Sequence, residues 1–291
     1  MKKIAYMFVA ALGLVSCSQD EMIENSTSSN AIFASLEENS RVAIDEKLYL
    51  SWEKNDKFIA FQSYTLQGQG KVTTGTAYEL EPTYAKSKTG MFNPADGQAA
   101  DYAPAYAIYP AQLNPKYNGD GSIIEKTDWD TMEKYKADGG DGTYTITLPD
   151  GNNNLGLDAP MFGNVLNEKV TFRLVTGMLK INLAQTTLDI ANVKEVTVTT
   201  KDIALAGDTK IATIEGKWGA KYIVAEPIAK AGSNVMTIPA KCAIDNIYYI
   251  PAPQAIYPEI KVSVSDGTKV EERTFTNADI KFGTMYNVFK K

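Results

Sequence analysis

Apolar and polar residues alternate along much of this chain, and this period of two limits what it can fold into. The alternation is clear at residues 143–148, 195–199 and 260–264, and it recurs at residues 47–52 and 57–61. Successive side chains of a β-strand point to opposite faces, so each segment predicts a strand with one buried face and one solvated face. No amphipathic helical pattern is long enough to carry a domain. The sequence therefore predicts an all-β protein.

Turn-forming clusters separate these segments. Residues 93–97, 138–142 and 265–268 each contain an Asp-Gly pair, which supplies the positive φ angles that tight hairpins need. Alternating segments flank the last cluster on both sides, so we expect a hairpin over residues 258–275. One stretch, residues 128–136, could instead form a short helix within a connection. Short strands with frequent turns favour β-sandwiches as the architecture.

The residue composition excludes several kinds of catalytic and metal site. The 291 residues include no histidine, which rules out His-based acid–base catalysis, Ser-His-Asp triads and zinc sites that need imidazole. A net charge of −6 argues against nucleic acid as a partner. Adjacent carboxylates such as Glu37 and Glu38 would point to opposite faces of a strand, so they do not converge on one bond. We therefore expect a protein that is not an enzyme and needs no cofactor and no metal.

The N-terminal residues have the features of a bacterial lipoprotein signal. Lys2 and Lys3 precede an apolar stretch over residues 4–15, which is shorter than the roughly 20 residues that a membrane-spanning helix needs. The stretch ends in the sequence LVSC at residues 14–17, which resembles the lipobox of bacterial lipoproteins. That resemblance implies cleavage after residue 16 and lipid attachment at Cys17. An ordinary signal peptide that happens to contain a cysteine is the alternative interpretation.

The chain after this signal is expected to contain a tether and two β domains. Residues 1–16 are the signal peptide, and residues 17–30 are rich in Ser, Asn and Thr, which predicts a flexible tether. A Gly/Asn-rich loop precedes residue 164, and alternating strands resume at residue 170. We therefore expect an N-terminal β-sandwich over residues 31–165 and a C-terminal β-sandwich over residues 166–291.

A tyrosine-rich run at residues 102–110 raises the question of a ligand. Tyr102, Tyr106 and Tyr109 could offer stacking platforms for sugar rings. Packing in the core and at the edge of a strand explains the same spacing. The first interpretation belongs to an alternative function, a monomeric glycan-binding lipoprotein on the cell surface.

Several segments, in their order and spacing, resemble the fimbrillin family, the type V pilins of Bacteroidales. They are Arg41-Val42 with residues 48–58, residues 159–163 with 172–181, and residues 248–254 with 258–275 and 283–288. The lipobox at Cys17 and the acidic residues Asp20 and Glu21 strengthen the resemblance, since acidic residues after the lipidated cysteine resemble a surface-export signal.

This resemblance implies a subunit of a cell-surface fimbria that supports adhesion. Family members are similar to transthyretin-like β-sandwiches, two per chain, and they reach the outer membrane as lipoproteins. An Arg-specific protease removes an N-terminal strand, and the emptied groove accepts a strand from the next subunit by donor-strand exchange. The partners implied are other fimbrial subunits in a head-to-tail polymer, the outer membrane through the lipid anchor, and the protease.

Carried onto this sequence, the resemblance implies cleavage between Arg41 and Val42, with residues 31–36 as the removable strand. Alternatively, Arg41 is a surface charge before the first permanent strand. Arg173 and Arg273, the only other arginines, lie inside predicted strands, where a protease has poor access. The chain ends in a short strand with a charged end, so stalk, tip, anchor and accessory positions all remain open.

Overall fold

The computed structural model describes residues 31–36, 51–61, 75–97, 104–118, 123–127, 134–138, 143–148, 160–215, 221–227, 234–239 and 246–289. The strands in these ranges are β1 (Ile32–Leu36), β2 (Lys57–Phe61), β3 (Thr76–Leu80), β4 (Thr89–Pro94), β5 (Tyr106–Tyr109), β6 (Lys116–Asn118), β7 (Ile123–Thr127), β8 (Lys134–Asp138), β9 (Thr143–Leu148), β10 (Met161–Leu166), β11 (Lys169–Leu174), β12 (Gly177–Asn182), β13 (Glu195–Lys201), β14 (Gly207–Glu215), β15 (Lys221–Pro227), β16 (Asn234–Pro239), β17 (Ile247–Ala252), β18 (Ala255–Ser265), β19 (Val270–Ile280) and β20 (Met285–Asn287). The helical segments are short 3₁₀ turns at Pro82–Tyr84, Ala111–Leu113, Leu183–Gln185 and Ile190–Asn192.

Seven strands close into a barrel in the order β1, β11, β10, β5, β2, β3 and β4, with β4 pairing back to β1. Alternation along the strands fills its interior, as in β11, where Val170, Phe172 and Leu174 are buried and the residues between them are exposed. Trp52 and Phe58 lie in the same core. β1 closes the barrel although it is separated along the chain from the other barrel strands, which begin with β2 at Lys57.

Two further sheets face each other as a sandwich. One contains β17, β12 and β20, and the other contains β16, β13, β18 and β19. Ile181 of β12 and Val262 of β18 belong to the core between them, whereas Met178 of β12 and Tyr249 of β17 belong to the barrel core. The sheet around β12 is thus buried on both faces, which explains its nearly continuous burial.

A fourth sheet, in the order β15, β14, β9 and β6, lies against the barrel. Tyr144 and Ile146 of β9 share a buried cluster with Phe61 of β2 and Phe162 of β10. Strands β7 and β8 pair only with each other among the described residues. Within the same residues, no helix has the length and apolar character that crossing a membrane would require.

The all-β fold class is confirmed, and so are the strands predicted at residues 57–61, 143–148, 195–199 and 260–264. The predicted hairpin is confirmed as β18 and β19, which pair antiparallel across a turn in which Gly267 has a φ of 89°. Local alternation and turn chemistry are sufficient to specify these elements.

Two local interpretations differ from the structure. Residues 134–136, the described part of the stretch that could have formed a short helix, belong to strand β8, because pairing with β7 satisfies its backbone groups. Ser51 and Trp52, expected to end a strand, lie outside any strand. The Trp52 amide instead donates to the Ser87 carbonyl at 2.8 Å, and the Lys86 amide donates to the Trp52 carbonyl at 2.6 Å.

The predicted domain boundary between residues 165 and 166 falls within the hairpin formed by β10 and β11. Both strands of this hairpin belong to the barrel that β1 closes. The division of the chain into residues 31–165 and 166–291 stays a prediction.

Candidate functional site

The residues predicted for lipid attachment and cleavage, Cys17, Arg41 and Val42, lie outside the described residues. Their roles therefore stay predictions. The removable strand implied by the family resemblance does lie within the described residues, because it coincides with β1 and the residue before it, Ala31. The candidate site is accordingly the groove between β4 and β11 in which β1 lies.

Backbone pairing holds β1 on both sides. It runs parallel to β11, with Phe33 opposite Lys169 and Leu36 opposite Phe172, and antiparallel to β4, with Ile32 opposite Phe92. At its two ends, the Phe33 amide donates to the Glu168 carbonyl at 2.8 Å and the Leu36 amide donates to the Lys88 carbonyl at 3.1 Å. The strand thus fills the gap between two strands that do not pair with each other.

The inward side chains of β1 are buried in the barrel core. Ile32 and Ala34 are each 2% exposed and Leu36 is 7% exposed, whereas Phe33 and Ser35 on the other face are half-buried. Full burial of an isoleucine or leucine side chain contributes about 1.5–3 kcal/mol. The Ser35 and Thr171 hydroxyls lie 3.1 Å apart on the outer face. Apolar contact inside the barrel and main-chain pairing together retain β1.

The indole of Trp52 forms the floor of this groove. Its ring packs edge-on against Phe92, Tyr109 and Phe172, with centroid distances of 5.0, 5.3 and 5.8 Å. These geometries are the ones that aromatic pairs prefer. Phe92 lies opposite Ile32 and Phe172 opposite Leu36, so the floor reaches both ends of β1.

The barrel that contains the groove has an uncharged core and carries charged side chains on its outer surface. Burial, and to a lesser extent the charge of Glu168, raises the pKa of the Tyr78 phenol, which keeps this barrel residue neutral. Lys57 and Glu79 form an ion pair at 2.9 Å between neighbouring strands, with both side chains substantially solvated. Among the described residues, no group of three His, Cys, Asp or Glu side chains is arranged to hold a metal ion. The arrangement suits an apolar strand as its occupant.

The structure also places the tyrosines that could have bound a sugar. Tyr106 and Tyr109 lie on β5, between β10 and β2 in the barrel, and Tyr109 is 4% exposed. Tyr109 packs against Trp52 and Phe172, and Tyr106 against Phe162 and Tyr144. Both rings therefore pack against other aromatic side chains of the protein. Tyr102 lies outside the described residues.

Arg173 and Arg273 lie inside strands β11 and β19, as predicted. Their backbones are paired, with Arg173 opposite Phe162 and Arg273 opposite Val262. A protease needs an extended, unpaired segment, so these two arginines are poor cleavage sites.

Sequence reasoning missed Gly90, which lies on β4 directly opposite Ala34. A methyl group on Gly90 would lie 2.5 Å from Cδ1 of Leu80 and 3.2 Å from Cδ1 of Trp52. A glycine inside a strand is a general signal of close packing, but it does not indicate which residue approaches.

Neither a protein-family model nor a curated protein matches this chain. Among solved structures, a candidate cell adhesion protein from Bacteroides ovatus is similar with 12% identity and a TM-score of 0.46, over 90% of this chain and 91% of that chain. A candidate cell adhesion protein from Bacteroides fragilis shows 10% identity and a TM-score of 0.32, over 84% of this chain and 82% of that chain. A variant of the major pilin from Streptococcus pyogenes shows 9% identity and a TM-score of 0.18, over 89% and 95%. Identities and TM-scores this low assign the chain neither to a family nor to a function.

Proposed function

We propose that this protein is a subunit of a cell-surface fimbria, exported as a lipoprotein on Cys17 and assembled by removal of β1 and its replacement by a strand of another subunit. The observation that carries the proposal is the position of β1. It is the first described strand, and it is inserted between β4 and β11 to close the barrel.

Covalent connectivity supports this proposal. β1 is linked to the rest of the fold only through residues 37–50, and Arg41 lies within that link. A single cut after Arg41 would therefore leave β1 held by hydrogen bonds and apolar contacts alone. Strands β4 and β11 keep their partners β3 and β10, so the barrel wall on each side of the groove stays formed.

Loss of β1 would create a strong binding site for another strand. The facing edges of β4 and β11 would present unpaired N–H and C=O groups above an aromatic floor. An incoming strand supplies main-chain hydrogen bonds and fills alternate side-chain pockets. If each subunit gives a strand to the next, the contact is head-to-tail and does not close, so it grows a filament.

The test is limited digestion of the non-lipidated chain, residues 18–291, with an Arg-specific protease, followed by intact mass and size-exclusion chromatography. We expect an early cut after Arg41, loss of residues 18–41, and oligomers whose size rises with protein concentration. An Arg41→Gln variant serves as the matched control, because it keeps the link but removes the one arginine of the link at which this protease would cut. A cut chain that releases β1 and stays monomeric at all concentrations would contradict assembly by this route.

A further inference from the structure

Resting on the proposed function, we propose that the groove selects its incoming strand by side-chain size at its centre. The occupant is an extended segment of another polypeptide with a large apolar, a small and a large apolar residue at three alternate positions. In β1 these positions are Ile32, Ala34 and Leu36, all of which are buried. The proposal specifies the partner's chemistry, which strand exchange alone does not.

The centre of the groove has room only for a small residue. Ala34 lies opposite Gly90 on one side and Val170 on the other. The space above Gly90 is occupied, because a methyl group there would lie 2.5 Å from Cδ1 of Leu80 and 3.2 Å from Cδ1 of Trp52. Opposite residues of an antiparallel pair point to the same face, with Cβ atoms about 4.5–5.5 Å apart. A large side chain at position 34 would therefore meet the same floor.

The two ends of the groove accept larger side chains. Ile32 lies opposite Phe92, and Leu36 lies opposite Phe172, so each end pairs a large aliphatic residue with an aromatic ring. Trp52 contacts both rings edge-on, at centroid distances of 5.0 and 5.8 Å. Close packing of this kind penalises both an unfilled pocket and an overfilled one.

The floor at the centre also carries a polar atom. The Trp52 Nε1 is buried and has no hydrogen-bond acceptor among the described residues. It is bonded to Cδ1, the atom that closely approaches Gly90. A small hydroxyl at the central position would add an acceptor near this donor. We therefore expect the centre of the groove to exclude large side chains but to accept a small polar one.

The outward positions of the strand provide a control for the inward ones. Ser35 is half-buried, and its hydroxyl faces the Thr171 hydroxyl on the outside of the barrel, at 3.1 Å. A larger residue at position 35 would extend toward solvent. Substitution by leucine adds the same apolar side chain at either position, but only at position 34 does it have to fit into the groove. Comparing the two therefore separates the effect of pocket size from that of added hydrophobicity.

The experiment uses the non-lipidated chain, residues 18–291, cut after Arg41, and measures uptake of fluorescent peptides of residues 30–37 by anisotropy. The peptides are the natural sequence, Ala34→Leu, Ala34→Ser and Ser35→Leu. We expect Ala34→Leu to bind about tenfold more weakly or worse, from the cost of overpacking. Ala34→Ser should bind at least as tightly as the natural sequence, and Ser35→Leu should stay within about threefold of it.

Equal binding of the natural and Ala34→Leu peptides would overturn this inference, even if the cut chain assembles. Weakening by Ala34→Ser as severe as that by Ala34→Leu would also overturn it, since the two differ in size. Failure to take up any peptide after the cut would mean that the groove does not open, and that result would overturn the proposed function as well.

Discussion

Two glycines show how closely single residues pack around β1. At Gly90 an added methyl group would meet Cδ1 of Leu80 at 2.5 Å, which is the far end of a flexible side chain. At Gly163 it would meet Cγ2 of Val170 and, at 2.7 Å, the backbone oxygen of Thr171. A side-chain end can rotate away, whereas the backbone of a strand between two partners cannot move without breaking its pairing.

Substitution of Gly163 by alanine should therefore destabilise the barrel more than the same change at Gly90. We expect Gly163→Ala to lower the free energy of unfolding by about 1–3 kcal/mol, the usual cost of overpacking. Urea denaturation monitored by tryptophan fluorescence measures this difference, and Gly90→Ala is the matched control. Equal losses for the two variants would mean that the Thr171 backbone yields as readily as the Leu80 side chain.

Among the elements, the hairpin of β18 and β19 has its turn held by one carboxylate. Asp266 Oδ1 accepts hydrogen bonds from the Lys269 amide at 2.6 Å, and from the Thr268 amide and hydroxyl at 2.8 Å each. These bonds, led by that from the Lys269 amide, lower the pKa of Asp266 from 3.8 to about 2. The ionised carboxylate thus favours the folded turn.

This pKa shift predicts a pH-dependent contribution to stability. The folded pKa lies below the unfolded one, so the contribution is present above about pH 4 and is lost as the pH falls toward 2. Asp266→Ala should destabilise the protein at pH 7, and the difference from the natural protein should shrink below pH 4. Unfolding free energies of both proteins between pH 7 and pH 2 measure it. A difference that stays constant over this range would contradict the assignment.

In contrast to the hairpin, β1 depends on partners that are distant along the chain. Its sequence, IFASL, is mostly apolar and does not alternate, so its existence could be predicted only from the family resemblance. Its pairing with β11 could not, because Ser35 and Val170 are 135 residues apart and parallel pairing leaves no turn to fix the register. The groove that defines the candidate site is therefore a property of the fold.

At the scale of the whole molecule, two buried clusters among the described residues differ in their relation to β1. The barrel core contains Ile32, Ala34 and Leu36 together with Met178 and Tyr249 of the adjoining sheet. The core of the sandwich that includes β13, β18 and β19 contains none of the β1 residues. Removal of β1 should therefore loosen the barrel before it affects that sandwich.

Hydrogen exchange read by mass spectrometry tests this order. In the chain cut after Arg41 and freed of residues 18–41, we expect faster amide exchange in β4 and β11, which lose their shared partner. Amides of β18 and β19 should keep their protection, which makes them the internal control. A uniform rise across the chain would instead indicate that β1 supports the entire molecule.

By itself, the sequence determined the all-β class, the hairpin of β18 and β19, and the absence of imidazole chemistry, because alternation, Asp-Gly turns and composition are local properties. Only the tertiary structure decided that residues 134–138 pair as a strand, that Trp52 leaves its strand pattern to form a floor, and that β1 closes the barrel. These outcomes depend on pairing and packing between segments distant in sequence. A local pattern can set which face of a strand is apolar, but not which surface will cover it.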